Sequence, residues 1–197
     1  MNKEELSIII PTYSRSSNLI LILDSLSKQI PNDHLIKVII CDSYSEDGSE
    51  INVKKFSENN IDLKIIYLNI KENILAAKRN FGIRNSNSKF IILLDDDCIP
   101  TNNFIKDYLE DLKKIDTNTI LSGVVEYPTN QIRESNYLQF KSKTHFKIKD
   151  VSNKIIKPKN IVAMNMGFLK SDKIMKTNLF DERFTGYGFE DYEFAFR

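Results

Sequence analysis

Short apolar runs recur along the first half of the chain, separated by longer segments in which apolar residues return every three or four positions. The apolar runs occupy residues 7–10, 37–40, 63–68 and 90–94. The helical segments are residues 18–30, 50–59 and 73–85. Continuous apolar, β-branched runs are typical of strands covered on both faces, as in a parallel sheet. The alternating order over residues 6–95 therefore predicts an α/β, doubly wound fold with a mostly parallel sheet.

The first helical segment has a recognisable beginning. Its apolar residues Leu19, Leu23 and Leu26 fall on one face of a helix. Ser16 and Ser17 precede them, and a serine hydroxyl at an N-cap accepts a hydrogen bond from a free N–H of the first turn. We therefore expect one of these two serines to cap the helix.

The second half of the chain is less regular, and its pattern predicts two helices and two strands. We expect these elements at residues 102–115, 120–127, 161–169 and 190–197. Between the two strands, residues 128–160 are mostly polar and match no pattern. The last helix reaches Arg197 without a capping residue, so we expect the chain to stop inside or just after a helix.

The composition fits one globular domain. Lys and Arg number 28 against 27 Asp and Glu, and the net charge of +1 argues against a dedicated nucleic-acid-binding protein, which is usually strongly basic. No apolar run is long enough to span a bilayer, and the polar start is unlike a signal peptide. Cys41 and Cys98 form neither a disulfide framework nor a metal pattern. We therefore expect a reduced, cytoplasmic protein.

Polar residues collect where the predicted strands end. Residues 11–15 follow the first strand, residues 41–49 the second, and Asp95, Asp96 and Asp97 the fourth. Ligands bind outside the carboxyl ends of strands in open α/β sheets. Three successive carboxylates repel one another, and Mg²⁺ or Mn²⁺ would relieve that cost while binding phosphates alongside. The alternative is an Asp-rich turn exposed to water.

Several common site types are missing from the sequence. It has neither a Gly-rich dinucleotide fingerprint nor a Walker A loop. Only His34 and His145 could serve a nucleophilic triad, and neither lies in a credible arrangement. Nucleotide binding on an Asp-x-Asp metal site is the main hypothesis that remains.

Five elements, taken in order, resemble the family 2 glycosyltransferases, which have the GT-A fold. They are residues 7–15 (SIIIPTYSR), 38–49 (VIICDSYSEDGS), 76–83 (AAKRNFGI), 90–100 (FIILLDDDCIP) and 180–193 (FDERFTGYGFEDYE). Each element alone is a weak signal, whereas the ordered set is specific and covers the chain from residue 7 onward apart from residues 128–160.

The resemblance implies a single GT-A domain over residues 1–197. Residues 1–100 would form the nucleotide-sugar-binding half, and residues 101–197 the acceptor-side half with its variable segment 128–160. The implied activity is inverting transfer of a sugar from a nucleotide-diphosphate donor, most simply a UDP-sugar, to a saccharide or lipid-linked acceptor. A divalent metal, Mn²⁺ or Mg²⁺, would assist. Bacterial surface-polysaccharide synthesis is the implied setting, in the cytoplasm, with peripheral contact to the inner membrane left open.

The resemblance also implies roles for individual residues on the donor side. The nucleotide and donor sugar would be bound by Pro11, Thr12, Tyr13, Arg15, Asp42, Lys78, Arg79, Asp95 and Asp96. Within this set Asp42 would accept a hydrogen bond from the base, and Arg79 would reach the base or the pyrophosphate. Asp97, with Asp95, would hold the metal against the diphosphate.

On the acceptor side, Asp191 would be the general base, and Glu190 would orient the acceptor or the donor sugar. Two departures from the family pattern stand out. Tyr13-Ser14-Arg15 replaces a frequent YNR, and Phe189 stands where a GGED motif has its second glycine. We expect Phe189 to tighten the loop while keeping both acids.

Each role has a structural alternative. Asp42 could cap a turn, Arg79 could pair with an acid on its own helix, and Asp191 could be an acid favoured by a helix N-terminus. His145 could be a metal ligand but more simply belongs to the variable stretch. The lysines of residues 141–159 form either a solvated, mobile segment or a surface for anionic headgroups.

Two other functions stay open on the sequence alone. A nucleotide-sugar-binding domain would bind donor with little turnover, because relatives continue beyond the Glu-Asp pair. A nucleotidyltransferase would release pyrophosphate, but it leaves residues 186–191 unexplained.

Overall fold

A six-stranded mixed sheet organises the protein. The computed structural model describes residues 4–144, 155–176, 179–186 and 188–197. The strands are β1 (Glu4–Thr12), β2 (His34–Asp42), β3 (Lys64–Asn69), β4 (Phe90–Leu94), β5 (Ile120–Ser122) and β6 (Asn165–Leu169). Their order is β3-β2-β1-β4-β6-β5; the first four are parallel, and β6 runs antiparallel to both β4 and β5. The doubly wound, mostly parallel sheet that the apolar runs predict is confirmed.

Helices cover the sheet and lead into its loops. They are α1 (Ser16–Ser27), α2 (Ser49–Asn59), α3 (Leu75–Asn85), α4 (Phe104–Leu112), α5 (Thr129–Glu134), α6 (Asn136–Thr144), α7 (Asp172–Lys176) and α8 (Glu190–Phe196). The first four and α8 lie where the sequence predicts helices. The helices α5, α6 and α7 were not predicted, since their polar residues carry little periodicity. None of the described helices has the length and apolar character that crossing a membrane requires.

Both faces of the sheet are buried, which explains the continuous apolar runs. Along β1, Ile8 and Ile10 pack into one core with α1 and α4, whereas Ile9 points into a second core with α3 and β6. All three side chains are fully buried. The second core also receives the segment that leads to α8, so α3 and the end of the chain share one face of the sheet.

Helix α3 lies unusually close to the sheet because of Gly82. A Cβ at this position would collide with the side chain of Ile9 and lie 3.0 Å from the Cys41 sulfur. At the other end of the helix, the ammonium of Lys170 donates to the carbonyls of Ile83 and Ser86 in its last turn. This close packing fixes the position of the polar residues of α3 relative to the carboxyl ends of the strands.

The predicted cap of α1 is wrong. Arg15 occupies the N-cap, Ser16 is the first helical residue, and no side chain of the cap bonds the first turn. The backbone N–H of Ser16 instead donates to Asp47 in the loop after β2, at 2.8 Å. A carboxylate from another loop thus does the work expected of a local serine.

Both strands predicted in the second half are too long. Strand β5 ends at Ser122, because the Asn165 side chain inserts beside Gly123, where a Cβ would collide with it, and donates to the Val124 carbonyl at 3.1 Å. Strand β6 begins only at Asn165. Ahead of it, the N–H of Ile161 donates to the carbonyl of Pro158 in a 3₁₀ turn at Pro158–Asn160.

Candidate active site

The loops after β1 and β2 are tied together at the carboxyl edge of the sheet. The N–H of Ser14 donates to the Ser45 hydroxyl at 2.6 Å, next to the bond between Ser16 and Asp47. The amide of Asn52, on α2, donates to the Ser16 hydroxyl at 3.0 Å. These bonds join two loops 31 residues apart in sequence into one rim.

The residues predicted for the first loop differ in exposure. Pro11 and Thr12 are buried at the end of β1, whereas Tyr13 and Arg15 are exposed. The Thr12 hydroxyl donates to Asp96 Oδ2 at 2.7 Å, which links this loop to the acid cluster after β4. The loop therefore presents an aromatic ring and a guanidinium to solvent at the rim.

Asp42 caps the turn that follows β2. Only 1% of Asp42 is exposed, and its two oxygens accept hydrogen bonds from the N–H and the hydroxyl of Ser45 at 2.7 and 2.5 Å. This is the structural alternative that the sequence left open. Recognition of a nucleotide base by Asp42 stays a prediction.

Lys78 is buried beneath the first loop rather than exposed to phosphates. Its ammonium donates to the Thr12 carbonyl and, at 2.6 Å, to Asn73 Oδ1, and it lies 5.5 Å from the centre of the Tyr13 ring. Burial lowers the pKa of Lys78, while the charges of Asp42 and Asp96 oppose that shift. Lys78 thus fixes the backbone and the aromatic ring of the loop after β1.

Arg79 bridges two acidic segments that are far apart in sequence. One guanidinium nitrogen donates to Asp95 at 2.9 Å and another donates to Glu190 at 2.7 Å. Both Arg79 and Glu190 are buried, at 2% and 5% exposure. Burial lowers the pKa of Arg79, but the two carboxylates more than offset this and raise it overall. The side chain therefore stays charged and holds the end of β4 against the start of α8.

The buried ends of this bridge are not fully satisfied. Among the described residues, Arg79 Nε and Glu190 Oε2 have no hydrogen-bond partner. Unpaired buried polar atoms are uncommon and costly, and they are often found at functional sites. The bridge thus leaves one donor, Arg79 Nε, and one acceptor, Glu190 Oε2, without partners among the described residues.

The three aspartates after β4 have different surroundings. Asp95 is held by Arg79, Asp96 accepts from Thr12, and Asp97 is exposed. Burial raises the pKa of Asp96, and the hydrogen bond from Thr12 and the charge of Arg15 partly oppose it. Asp97 is therefore the member of the cluster whose carboxylate faces solvent.

No three or more His, Cys, Asp or Glu side chains within the described ranges are arranged as a ready metal site. An exposed carboxylate such as Asp97 nevertheless fits a metal that takes most of its ligands elsewhere. Mg²⁺ is commonly bound by one or two carboxylates together with substrate phosphates and water. The residues at the end of β4 are compatible with that kind of site.

Asn80 has a positioning role that the sequence analysis missed. Its amide nitrogen donates to the Phe180 carbonyl and to Glu182, both at 2.8 Å, and its amide oxygen accepts from the Phe180 N–H at 2.9 Å. Asn80 thereby fixes the segment that leads to α8. The signal was present in the motif at 76–83, where Asn80 directly follows two residues singled out for the donor.

Three consecutive residues of α3 therefore serve three parts of the cleft. Lys78 holds the loop after β1, Arg79 joins β4 to α8, and Asn80 holds the segment ahead of α8. Successive helical residues point about 100° apart, so one turn can reach three neighbours. Gly82 lets α3 pack closely against the sheet, and this close packing sets the distance from these three residues to their partners.

A cavity of about 260 Å³ lies where these parts meet. Its lining includes Arg79 and Asp95 together with Asp191 and Tyr192. Burial raises the pKa of Asp191, and the neighbouring charge of Glu190 raises it further. The cavity thus brings together Asp95, from the end of β4, and Asp191, a carboxylate with a raised pKa.

The residue before the Glu-Asp pair keeps both acids at the start of α8, as expected. Phe189 is the N-cap of α8 and adopts a left-handed backbone, with φ of 75°. Its carbonyl accepts the N–H of Glu193 at 3.0 Å, which closes the first turn. His145, and Tyr187 in the element at residues 180–193, lie outside the described residues.

The sequence is similar to those of large polysaccharide synthases. Residues 7–174 match the family described as Glycosyl transferase family 2. A chondroitin synthase from Pasteurella multocida is 28% identical over 220 residues, and one from Escherichia coli is 27% identical over 222 residues. Each comparison covers 98% of this chain but only 22% and 32% of the respective synthase. The chain thus spans about a fifth to a third of the length of these relatives.

Solved structures share the fold. TarS 1–349 from S. aureus has a TM-score of 0.71 at 18% identity over 97% of this chain and 54% of its own. The same protein in complex with UDP-GlcNAc gives 0.65 at 17% identity, over 97% and 52%. The mannosyltransferase PcManGT from Pyrobaculum calidifontis, in complex with GDP-Man and Mn²⁺, gives 0.69 at 18% identity, over 98% and 51%. The expected GT-A arrangement is thereby confirmed, and the chain belongs to glycosyl transferase family 2.

Proposed function

We propose that the protein is an inverting glycosyltransferase that moves a sugar from a nucleotide-diphosphate donor, a UDP-sugar, to a saccharide or lipid-linked acceptor. The observation that carries this proposal is the Arg79 bridge, which joins the acid cluster after β4 to the Glu-Asp pair of α8 in one cleft. A sugar transferase needs a leaving-group site and a base facing each other across the reacting carbon. Residues 1–100 would form the donor half and residues 101–197 the acceptor half.

Support for the donor comes from both the relatives and the rim. TarS was solved with UDP-GlcNAc and PcManGT with GDP-Man, so nucleotide sugars are donors that this fold accommodates. In this chain Tyr13 and Arg15 are exposed beside the end of β4. An aromatic ring can stack on a base, and a guanidinium pairs well with phosphate. Pro11, Thr12 and Lys78 would shape that loop from beneath.

The leaving diphosphate would sit at the aspartates that follow β4. Asp97, with Asp95, would hold Mn²⁺ or Mg²⁺, and Asp96 would face the ribose or the donor sugar. A bound divalent cation supplies positive charge that stabilises a departing diphosphate. Arg79 would keep Asp95 in place, acting on the diphosphate through that carboxylate.

The acceptor would enter on the side of α8. Asp191 would take the proton from the acceptor hydroxyl. At the same time the hydroxyl oxygen bonds to the anomeric carbon of the donor sugar, and the bond from that carbon to the diphosphate breaks. The raised pKa of Asp191 makes this carboxylate a stronger base than an ordinary aspartate. One displacement from the face opposite the leaving group inverts the anomeric configuration. Glu190, held by Arg79, would orient the reacting groups.

The natural setting for this activity would be the assembly of a bacterial polysaccharide. Two of the similar proteins are chondroitin synthases, which extend a saccharide chain. The donor sugar and the acceptor are therefore best sought among hexose derivatives that such polymers contain.

The test is release of UDP from a panel of UDP-sugars, with and without Mn²⁺ and with chondroitin oligosaccharides as acceptors. Metal-dependent release that Asp191→Asn abolishes supports a transferase. Binding of UDP without release from any donor indicates a binding domain instead. Release of pyrophosphate from UTP and a sugar phosphate indicates a nucleotidyltransferase.

A further inference from the structure

Two aromatic residues on the loops around the cleft, Tyr44 and Phe189, have a left-handed backbone. Among the described residues, three other than glycine have positive φ, namely Ser14, Tyr44 and Phe189, with values of 53°, 56° and 75°. All three lie on loops at the carboxyl edge of the sheet. A bulky residue is strained in this conformation, whereas glycine is not. Strained residues persist mainly where the surrounding structure or the function requires them.

Burial of the Phe189 side chain contributes little stabilisation to offset the strain of its left-handed backbone. Its side chain is 67% exposed, so burial of the ring contributes only a fraction of what a core phenylalanine contributes. Its defined ring contact is with Tyr192, at 5.8 Å between centroids and 86° between planes. The two rings form an exposed aromatic corner in an edge-to-face arrangement.

This aromatic corner borders the base that the proposed reaction uses. Phe189 and Tyr192 both line the cavity of about 260 Å³ that contains Asp191. They flank Asp191 in the chain, two residues before it and one residue after it. A hydroxyl that gives its proton to Asp191 must come within hydrogen-bond distance of that carboxylate. The sugar ring that carries the hydroxyl then lies beside the aromatic corner.

We propose that Phe189, supported by Tyr192, forms the platform on which the acceptor sugar ring stacks. This inference rests on the proposed function. Pyranose rings have an apolar face of C–H groups, which packs well on an aromatic ring. The donor is a less suitable occupant, because its diphosphate is expected at Asp97, which is not among the residues that line this cavity.

The decisive variant is Phe189→Gly, since it removes the ring and relieves the strain together. We expect its Tm to rise by about 2–4 °C, as for relief of one left-handed residue in a chain of this size. We expect KM for the saccharide acceptor to rise about tenfold, which is the loss of one aromatic stacking contact.

Tyr44→Gly is the matched control. Tyr44 is 64% exposed and has positive φ on the loop after β2, so the substitution relieves similar strain away from Asp191. Its Tm should rise in the same way while KM for the acceptor stays near the wild-type value. Equal KM values for Phe189→Gly and the wild type, with turnover intact, would overturn the platform but leave the proposed function standing.

A binding measurement tests the platform even if turnover is not found. The chain contains no tryptophan, so Phe189→Trp introduces a single fluorescent reporter at this position. Methyl β-glycosides of glucose, galactose and their N-acetylated amines should shift or quench its emission with saturation. Sorbitol, which has no ring face, should not. An emission spectrum that no glycoside changes would refute the platform, whatever the transferase assay shows.

Discussion

Replacing Arg79 by methionine would remove the charge that joins the two acidic segments of the cleft while keeping most of the side-chain volume. The variant leaves Asp95 and Glu190 facing each other without a counter-charge, and Glu190 is only 5% exposed. Removing one partner of a buried ion pair costs about 3–5 kcal/mol. The Phe180 ring, 5.5 Å from the guanidinium carbon, also loses its cation.

This cost should be visible as a large change in thermal stability. For a chain of this length, about 1 kcal/mol corresponds to a shift of about 2–4 °C, so we expect Tm to fall by about 6–20 °C. Thermal unfolding followed by circular dichroism measures the shift. Adding Glu190→Gln should recover part of the loss, because one of the two unpaired carboxylates is then neutral.

Arg84→Met is the matched control on the same helix. Arg84 pairs with Glu182 at 3.3 Å, but both side chains are about half exposed, at 55% and 45%. Exposed pairs contribute about 0–1 kcal/mol, so Tm should fall by less than about 4 °C. Unfolding of Arg79→Met at the same temperature as Arg84→Met would show that the bridge does not hold the cleft together.

Three further outcomes are expected. Asp191→Asn should lower kcat by about 10²–10⁴-fold in the UDP-release assay. Because the pKa of Asp191 is raised from 3.8 in the folded protein, its negative charge destabilises the folded state at neutral pH. The Tm of Asp191→Asn should therefore exceed that of the wild type at neutral pH, and this difference should vanish below pH 3.8. The wild-type rate should fall as the pH decreases through that raised pKa, and a pH profile flat down to 3.8 would contradict the assigned base. Gly82→Ala should lower the free energy of unfolding by about 1–3 kcal/mol in urea titrations, because its Cβ meets Ile9, whereas Gly186→Ala, with open space around it, should be close to neutral.

The sheet could be predicted from sequence because burial on both faces leaves a direct trace. Residues 90–94 read as five apolar residues in a row, and the strand has those same bounds. Helix α4 was equally visible, with Phe104, Ile105 and Leu112 buried on one face. Where a segment is half exposed or short, as in α5 and α7, its amphipathic pattern is too brief to separate from a polar loop.

The sequence named several residues that line the cleft, but it did not predict the hydrogen bonds and ion pairs between them. The resemblance implied donor-side roles for Arg79 and Asp95 and an acceptor-side role for Glu190, and the structure brings these three side chains into contact. That Arg79 would be buried between two carboxylates depends on distances across 111 residues, which local spacing does not encode. The cap of α1 escaped prediction for the same reason, since Asp47 reaches it from another loop.

Phe189 shows the reverse situation, in which a departure from the family pattern carried structural information. A phenylalanine stands where the motif has glycine, and this residue adopts the left-handed backbone that glycine tolerates best. That it tightens the loop stays a prediction. The sequence could not tell that the ring would be exposed beside Tyr192. That placement follows from how α8 docks through Arg79 and Asn80.

The central claim is a nucleotide-diphosphate site at the end of β4. Calorimetric titration with UDP, in the presence and absence of Mn²⁺, tests it most directly, with separate titrations of GDP and dTDP for comparison. The account predicts UDP binding that requires Mn²⁺ and is lost in Asp97→Asn, while Asp62→Asn, an exposed aspartate before β3, binds like the wild type. Absence of heat with all three nucleotides, with and without metal, would contradict a nucleotide-diphosphate site at the end of β4.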